Sequence, residues 1–230
     1  MNGFFLTSTY FGVFLSLAAY FIGIAIKKKV NFSLVNPLLI SVVLVIAFLL
    51  LFDLDYDAYY AGGRYLSYFL TPSTVCLAIP LYRQLEILRR NLKAILWGSL
   101  AGVLSSLGGV LLFARIFRLN YAQYVTLLPK SITTAIGMGL AEEMGGIPAI
   151  TVAVIVVTGI FGNLTAVLFC RIFRIQNPLA AGLAIGTSSH AMGTTKALEL
   201  GEVEGAMSSL AIVVSGIMTA AFASFFAMLY

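Results

Sequence analysis

Apolar residues run through this chain in long unbroken stretches, not in alternation. The stretches cover residues 4–26, 34–52, 64–82, 92–114, 120–140, 146–170, 178–198 and 205–229. Each is close to the ~20 residues a helix needs to cross a bilayer's ~30 Å hydrocarbon core. Lipid offers no water to the backbone, so only helices and closed barrels span it, and continuous runs select helices. The pattern predicts an all-α integral membrane protein with about eight helical spans. The first run lacks a basic leader and a small-residue cleavage site, and is expected to stay as a membrane helix.

Two polar segments interrupt this pattern. One is GTSSHAMGTTKALEL, residues 186–200, which holds the sole histidine. The other is PKSITTAIGMGLAEEMGG, residues 129–146. They belong to a repeat: TVCLAIPLYRQLEIL (74–88), SITTAIGMGLAEEMG (131–145) and TSSHAMGTTKALELG (187–201) align at offsets of 57 and 56 residues. Each copy opens on a hydroxyl (Thr74, Ser131, Thr187). Alanine follows (Ala78, Ala135, Ala191), then a helix breaker (Pro80, Gly137, Gly193) and an acid (Glu86, Glu143, Glu199). Chance alignment among low-diversity membrane helices is the plain alternative. The chain thus reads as one transmembrane domain over 1–230, with N-terminal helices at 1–57 and repeat-like units at 58–118, 119–174 and 175–230. Membrane repeats commonly mean transport, with sites where the repeats meet. Copies that all cross fully are parallel; re-entrant copies admit an inverted relation.

Composition agrees: 60% of residues are hydrophobic and 10% charged, against about a quarter charged in soluble domains. The net charge of +5 does not suggest nucleic acid, because the basic residues cluster at span ends. The positive-inside rule puts Lys27–Lys29 in the cytoplasm, the loop of Arg83, Arg89, Arg90 and Lys93 on the same side, and Asp53, Asp55 and Asp57 outside. By the same count both ARIFRL (114–119) and CRIFRI (170–175) fall outside, against the rule. Either these arginines snorkel, or one polar segment enters and leaves on the same face. The acidic loop is no calcium site, since Ala58 replaces the turn glycine and Arg64 the bidentate glutamate. Cys76 and Cys170 are expected to be buried, inert thiols.

The candidate chemistry is anion binding. A lysine at a helix centre costs ~3 kcal/mol on insertion scales, so Lys196 and the deeper His190 need a reason. A broken helix supplies one: freed amides, the hydroxyls of Thr187, Ser188, Ser189, Thr194 and Thr195, and a cation would face a cavity. Gly193 favours such a break. Alternatively the hydroxyls bond back one turn and the glycines serve close packing. The second copy repeats the theme with Lys130, Ser131, Thr133, Thr134 and Gly137, and Pro129 predicts an interruption near residue 128. Glu143, Glu142, His190 and Asn163 are candidates for proton or ion coupling. Asn163 could equally bridge two helices, and Glu142 could lie in a loop. No metal or cofactor site is expected. Enzyme activity is not expected either: one histidine cannot make HExxH, GxSxG is missing, and Ser189 and His190 are sequence neighbours that point apart.

At PKSITTAIGMGLAEEMGGIPAITVAVIVVTGIFGN and NPLAAGLAIGTSSHAMGTTKALELGEVEGAMSSLA the sequence resembles the LrgB/CidB family over nearly its whole length. The resemblance implies a multi-pass bacterial plasma (inner) membrane protein, often paired with a smaller LrgA/CidA-like partner. The family was first described as holin- and antiholin-like, modulating murein hydrolase activity and lysis. Relatives are linked to small carboxylates: pyruvate in bacteria, and glycolate and glycerate in a plastid transporter with an LrgB-like C-terminal part. The expectation is a carrier for a small monocarboxylate (pyruvate, glycolate, glycerate or lactate class) in the lipid bilayer, as a monomer or homo-oligomer. The other reading is an antiholin-like regulator of lysis acting through that partner.

Overall fold

The structure is a computed structural model describing residues 10–30, 37–69, 72, 75, 76 and 78–230. Residues 4–9 and 34–36 of the first two expected spans, and Thr74 of the first repeat copy, lie outside the described residues. All regular structure among the described residues is helical. The chain divides into two compact units, residues 1–76 and 77–230.

The first unit contains α1 (Phe11–Val30), α2 (Pro37–Leu51) and α3 (Tyr56–Ser67). Lys27, Lys28 and Lys29 occupy the last turn of α1, where the helix dipole favours cations. Helix α1 packs against both others, and a Cβ on Gly23 would lie 2.6 Å from the Pro37 carbonyl oxygen. The acidic loop is a helix connection: Asp53 turns left-handed (φ 48) and Asp55 caps α3.

The second unit follows as α4 (Ala78–Arg83), α5 (Leu85–Arg90), α6 (Leu92–Ile116), α7 (Tyr121–Leu127), α8 (Thr134–Glu143), α9 (Pro148–Ile172), α10 (Pro178–Leu200) and α11 (Glu202–Ala227). Across the described residues, four helices are long and apolar enough to cross a membrane: α1, α6, α9 and α11. The count of about eight spans is therefore not reproduced. The run 64–82 is not one helix, since α3 ends at Ser67 and α4 begins at Ala78.

The runs 120–140 and 178–198 are not continuous spans either, and the breaks expected in their polar segments organise the fold. Helix α10 is broken at His190, whose φ of 41° and ψ of −140° are non-helical. On a straight helix Ile185 and Ala197 would stand ~18 Å apart, yet they share one apolar cluster with Ala166. A Cβ on Gly193 would lie 3.1 Å from the Ile185 carbonyl oxygen. The chain therefore doubles back at His190, and the break falls on the histidine itself, not on its flanking glycines. The arms, residues 178–189 and 191–200, are about 18 and 15 Å long, roughly half a hydrocarbon core each.

The segment from α7 to α8 makes an equivalent hairpin. Pro129 has no amide to extend α7, and Thr133 adopts extended backbone (φ −64°, ψ 145°) before α8 begins. A Cβ on Gly137 would lie 3.3 Å from the Pro129 carbonyl oxygen, the counterpart of the Gly193–Ile185 approach. Met144 returns to the cluster that holds Tyr124 and Val125.

The two RIFR strings build identical turns before these hairpins. Arg118 and Arg174 have φ of 51° and 53°. Leu119 donates to Ala114 O at 3.0 Å, and Ile175 to Cys170 O at 2.8 Å. Asn120 and Asn177 then cap α7 and α10. Helices α6 and α9 are both 25 residues long. The repeat is thus a long helix followed by a hairpin, built once as α6–α7–α8 and again as α9–α10.

The two copies run in opposite directions. The start of α6 packs beside the starts of α10 and α11 through Ile95, Leu183, Met207 and Ala211. Its far end meets the end of α11, where Arg115 donates to Leu229 O at 2.6 Å. Helix α9 starts at that far end, its Thr151 hydroxyl donating to Thr126 O at 2.9 Å. It returns to the Leu92 end, where Arg171 and Arg174 flank one hollow with Leu200 and Glu204. One RIFR turn therefore lies at each end of the unit, the alternative in which a polar segment enters and leaves on the same face. The α7–α8 hairpin enters from the Arg118 face and the α10 hairpin from the Leu92 face.

Candidate functional site

The tips of the two hairpins meet inside the second unit. A cavity of about 800 Å³ runs along α6 and the first arm of α10, from Asn91 and Asn177 at the Leu92 face down to Ser106, Lys130, Ser131, Thr187 and Ser188. A second hollow of about 330 Å³ lies on the other side of that arm, between it and α9, and also reaches Lys130 and Ser188. Lys130 is thus the cation common to both. Its ammonium donates to the Ser131 hydroxyl at 3.0 Å, and Ser131 in turn shares a hydrogen bond with Ser106 of α6 at 3.0 Å. Among the described residues no carboxylate pairs with Lys130, and neither cavity is lined by an acid. Leu128 and Ile132, each 1% exposed, pack behind it toward the Arg118 face.

Glycines bring the first arm of α10 into place. A Cβ on Gly102 of α6 would lie 3.0 Å from the Thr187 hydroxyl, and one on Gly159 of α9 would lie 2.6 Å from the His190 ring. Gly162 faces Ser189 in the same way. Gly159 and Gly162 are midway along α9, so the tip lies at the depth of a bilayer centre if α9 spans. The His190 Nε2–H donates to Ile155 O at 3.0 Å, since a carbonyl oxygen can only accept. Asn163 donates to Met192 O at 2.7 Å and to the Thr195 hydroxyl at 3.0 Å. The α10 tip is therefore pinned to α9 from both sides of its break.

A family model described as the LrgB-like family matches residues 16–229. The chain belongs to the LrgB-like family. An "Antiholin-like protein LrgB" of Bacillus mycoides (strain KBAB4) is 39% identical over 211 residues, covering 91% of this chain and 92% of the relative. Proteins of the same name from Bacillus cereus (strain B4264) and Bacillus anthracis (strain CDC 684 / NRRL 3495) match to the same extent. No solved structure matches. Family and spanning helices together make this a multi-pass membrane protein.

The LrgB-like chain gathers only part of the residues singled out from sequence. Lys130, Ser131, Thr187 and Ser188 share the larger cavity, and Ser189 joins Lys130 and Ser188 at the smaller one. Thr187 and Ser188 also bond back to Leu183 O and Ala184 O, both at 2.7 Å, so helix back-bonding and cavity lining coexist. The remainder lies elsewhere. His190 is 3% exposed and lines no cavity described here. Thr194 is fully buried, sharing a 2.7 Å hydrogen bond with Ser208 of α11. Lys196 lies toward the Leu92 face and pairs with Glu199 at 2.7 Å. Thr133 and Thr134 are half-buried at the start of α8, while Gly137 and Gly193 let the arms of their hairpins close. Glu142 and Glu143 are exposed at the end of α8, at the Arg118 face.

Sequence reasoning missed Ser105 and Ser106 of α6 and the two asparagines at the cavity mouth. The serine pair in VLSSLGG was a usable signal, but α6 read as an ordinary span. Cys76 is exposed and Cys170 half-buried, so neither is the fully buried thiol expected.

Proposed function

We propose that this LrgB-like chain is a membrane carrier for a small monocarboxylate, held at Lys130 where the hairpin tips meet. The observation carrying this reading is a lysine without an acidic partner among the described residues, at the junction of two cavities and deep among apolar helices. Burying an ammonium unpaired is costly, and an anionic guest removes that cost. The hydroxyls of Ser106, Ser131, Thr187 and Ser188 would orient the carboxylate. Oppositely directed repeats with broken helices at their interface are the common architecture of secondary carriers, which alternate access around such a point. The cavities open toward the Leu92 face, while Leu128 and Ile132 close the path toward the other.

That face carries Arg83, Arg89, Arg90, Lys93, Arg171, Arg174 and Lys196, against Arg115 and Arg118 opposite. The positive-inside rule then makes it cytoplasmic, in a bacterial plasma membrane, and this conformer inward-open. The same rule, applied to the first unit by itself, assigns the Lys27–Lys29 turn to the cytoplasm.

The relatives' name, antiholin-like, favours a second reading; the family resemblance makes it a regulator of lysis working through an LrgA/CidA-like membrane partner. Purified protein in liposomes separates the two. The carrier reading expects saturable uptake or exchange of labelled pyruvate, glycolate or lactate that Lys130→Gln abolishes. Absence of both uptake and exchange for all three would leave the regulatory reading.

A further inference from the structure

Resting on the carrier reading, we propose that Lys130 also carries the proton that travels with the substrate, so that the chain is an anion–proton symporter. The charged and titratable groups facing Lys130 can be taken element by element. Helix α6 offers Ser105 and Ser106, the α10 hairpin offers Ser188 and Ser189, and α9 offers Thr158. Among the described residues, the titratable side chain besides Lys130 along either cavity is Cys170, toward the Leu92 mouth of the smaller hollow. His190 is turned into α9 against Ile155 O, and Glu142 and Glu143 are at the far end of α8. No described acid or histidine is therefore placed to exchange a proton with a bound anion, and Lys130 is the cation that lines both hollows.

Physical chemistry then links the two ligands. An ammonium with no counter-charge in apolar surroundings is disfavoured, and a carboxylate beside it restores the charged form. In the cycle, Lys130 takes a proton from water at one face and binds the carboxylate as an ion pair of zero net charge. The loaded hairpins exchange access, the anion leaves, and the ammonium gives its proton to water on that side. The empty carrier returns with a neutral amine. One anion and one proton cross per cycle, and neither crossing step moves net charge.

Lys130→Arg tests this, because arginine keeps its proton under all protein-compatible conditions while still holding a carboxylate. Labelled pyruvate is supplied to proteoliposomes, with net uptake driven by an inside-alkaline gradient measured beside exchange against internal unlabelled pyruvate. The expected wild-type result is both activities. In Lys130→Arg, exchange persists at a reduced rate while the ratio of net uptake to exchange falls about tenfold or more, since an arginine carrier cannot return empty in neutral form. An unchanged ratio overturns the proposal. So does wild-type exchange without gradient-driven uptake, although the carrier reading survives that result. Only the loss of uptake and exchange together in wild type strikes at the carrier itself. A second measurement does not depend on the variant: wild-type uptake under a valinomycin-set, inside-positive potential at equal pH. Insensitivity to the potential supports neutral crossing steps, and acceleration by it overturns them.

Discussion

Two substitutions of identical chemistry should move stability in opposite directions. Gly186 lies in the first arm of α10 against α11, and an added Cβ would come within 2.8 Å of both the Ser208 Cα and the Ala211 Cβ, and closer still to the Ser208 carbonyl oxygen. Carbon atoms pack at ~3.5–4.0 Å, so Gly186→Ala must push arm and helix apart by about 1 Å. Backbone atoms cannot rotate away as a side-chain tip can. Overpacking of this kind costs about 1–3 kcal/mol, offset by up to ~1 kcal/mol of helix propensity. Gly108 of α6 has nothing within 4 Å of the same added atom, so Gly108→Ala should keep the propensity gain alone. At ~2–4 °C per kcal/mol for a chain of this size, heating in detergent should show a midpoint lowered by up to ~12 °C for Gly186→Ala and raised by up to ~4 °C for Gly108→Ala. The midpoint is read from loss of the monodisperse gel-filtration peak. Shifts of the same sign and size would refute the close approach of the α10 hairpin to α11.

Further outcomes follow from the site. Lys130→Gln should abolish carboxylate uptake whereas Lys196→Gln, which loses only an exposed pair, should stay within about twofold of wild type; initial rates in proteoliposomes decide. His190→Ala loses the bond to Ile155 O and keeps a left-handed backbone, so it should destabilise by about 1–3 kcal/mol, with His190→Gly the milder change in the same thermal assay. A lone cysteine at Ala180, on the cavity wall, should react with an impermeant maleimide from the Leu92 face only, and bound substrate should slow the reaction. The buried Ser99 hydroxyl has no hydrogen-bond partner among the described residues, so Ser99→Ala should stabilise the fold by about 1 kcal/mol.

The family, the helical class and the membrane setting were legible in the residues because they follow from local quantities: apolar run length, charge at run ends, and motif identity. The recurrence of the RIFR strings and of Gly137 and Gly193 at matching spacing was legible for the same reason. Whether 178–200 crosses or doubles back was not legible. A straight helix and a hairpin need the same apolar composition, and the choice rests on one backbone torsion at His190, held by Ile155, Gly159 and Asn163 of a different helix. The equivalent doubling back between Pro129 and Thr133 sets the direction of α9, and so puts Arg118 and Arg174 on opposite faces. It also redistributed the candidate site. Local polarity drew attention to Lys196 and His190 as strongly as to Lys130. Only packing distinguished a cation paired at the surface, a ring pinned inside a helix interface, and an ammonium facing open cavities. Composition names the groups that can bind an anion; the through-space approach of segments far apart in the chain leaves one of them, Lys130, without an acidic partner among the described residues.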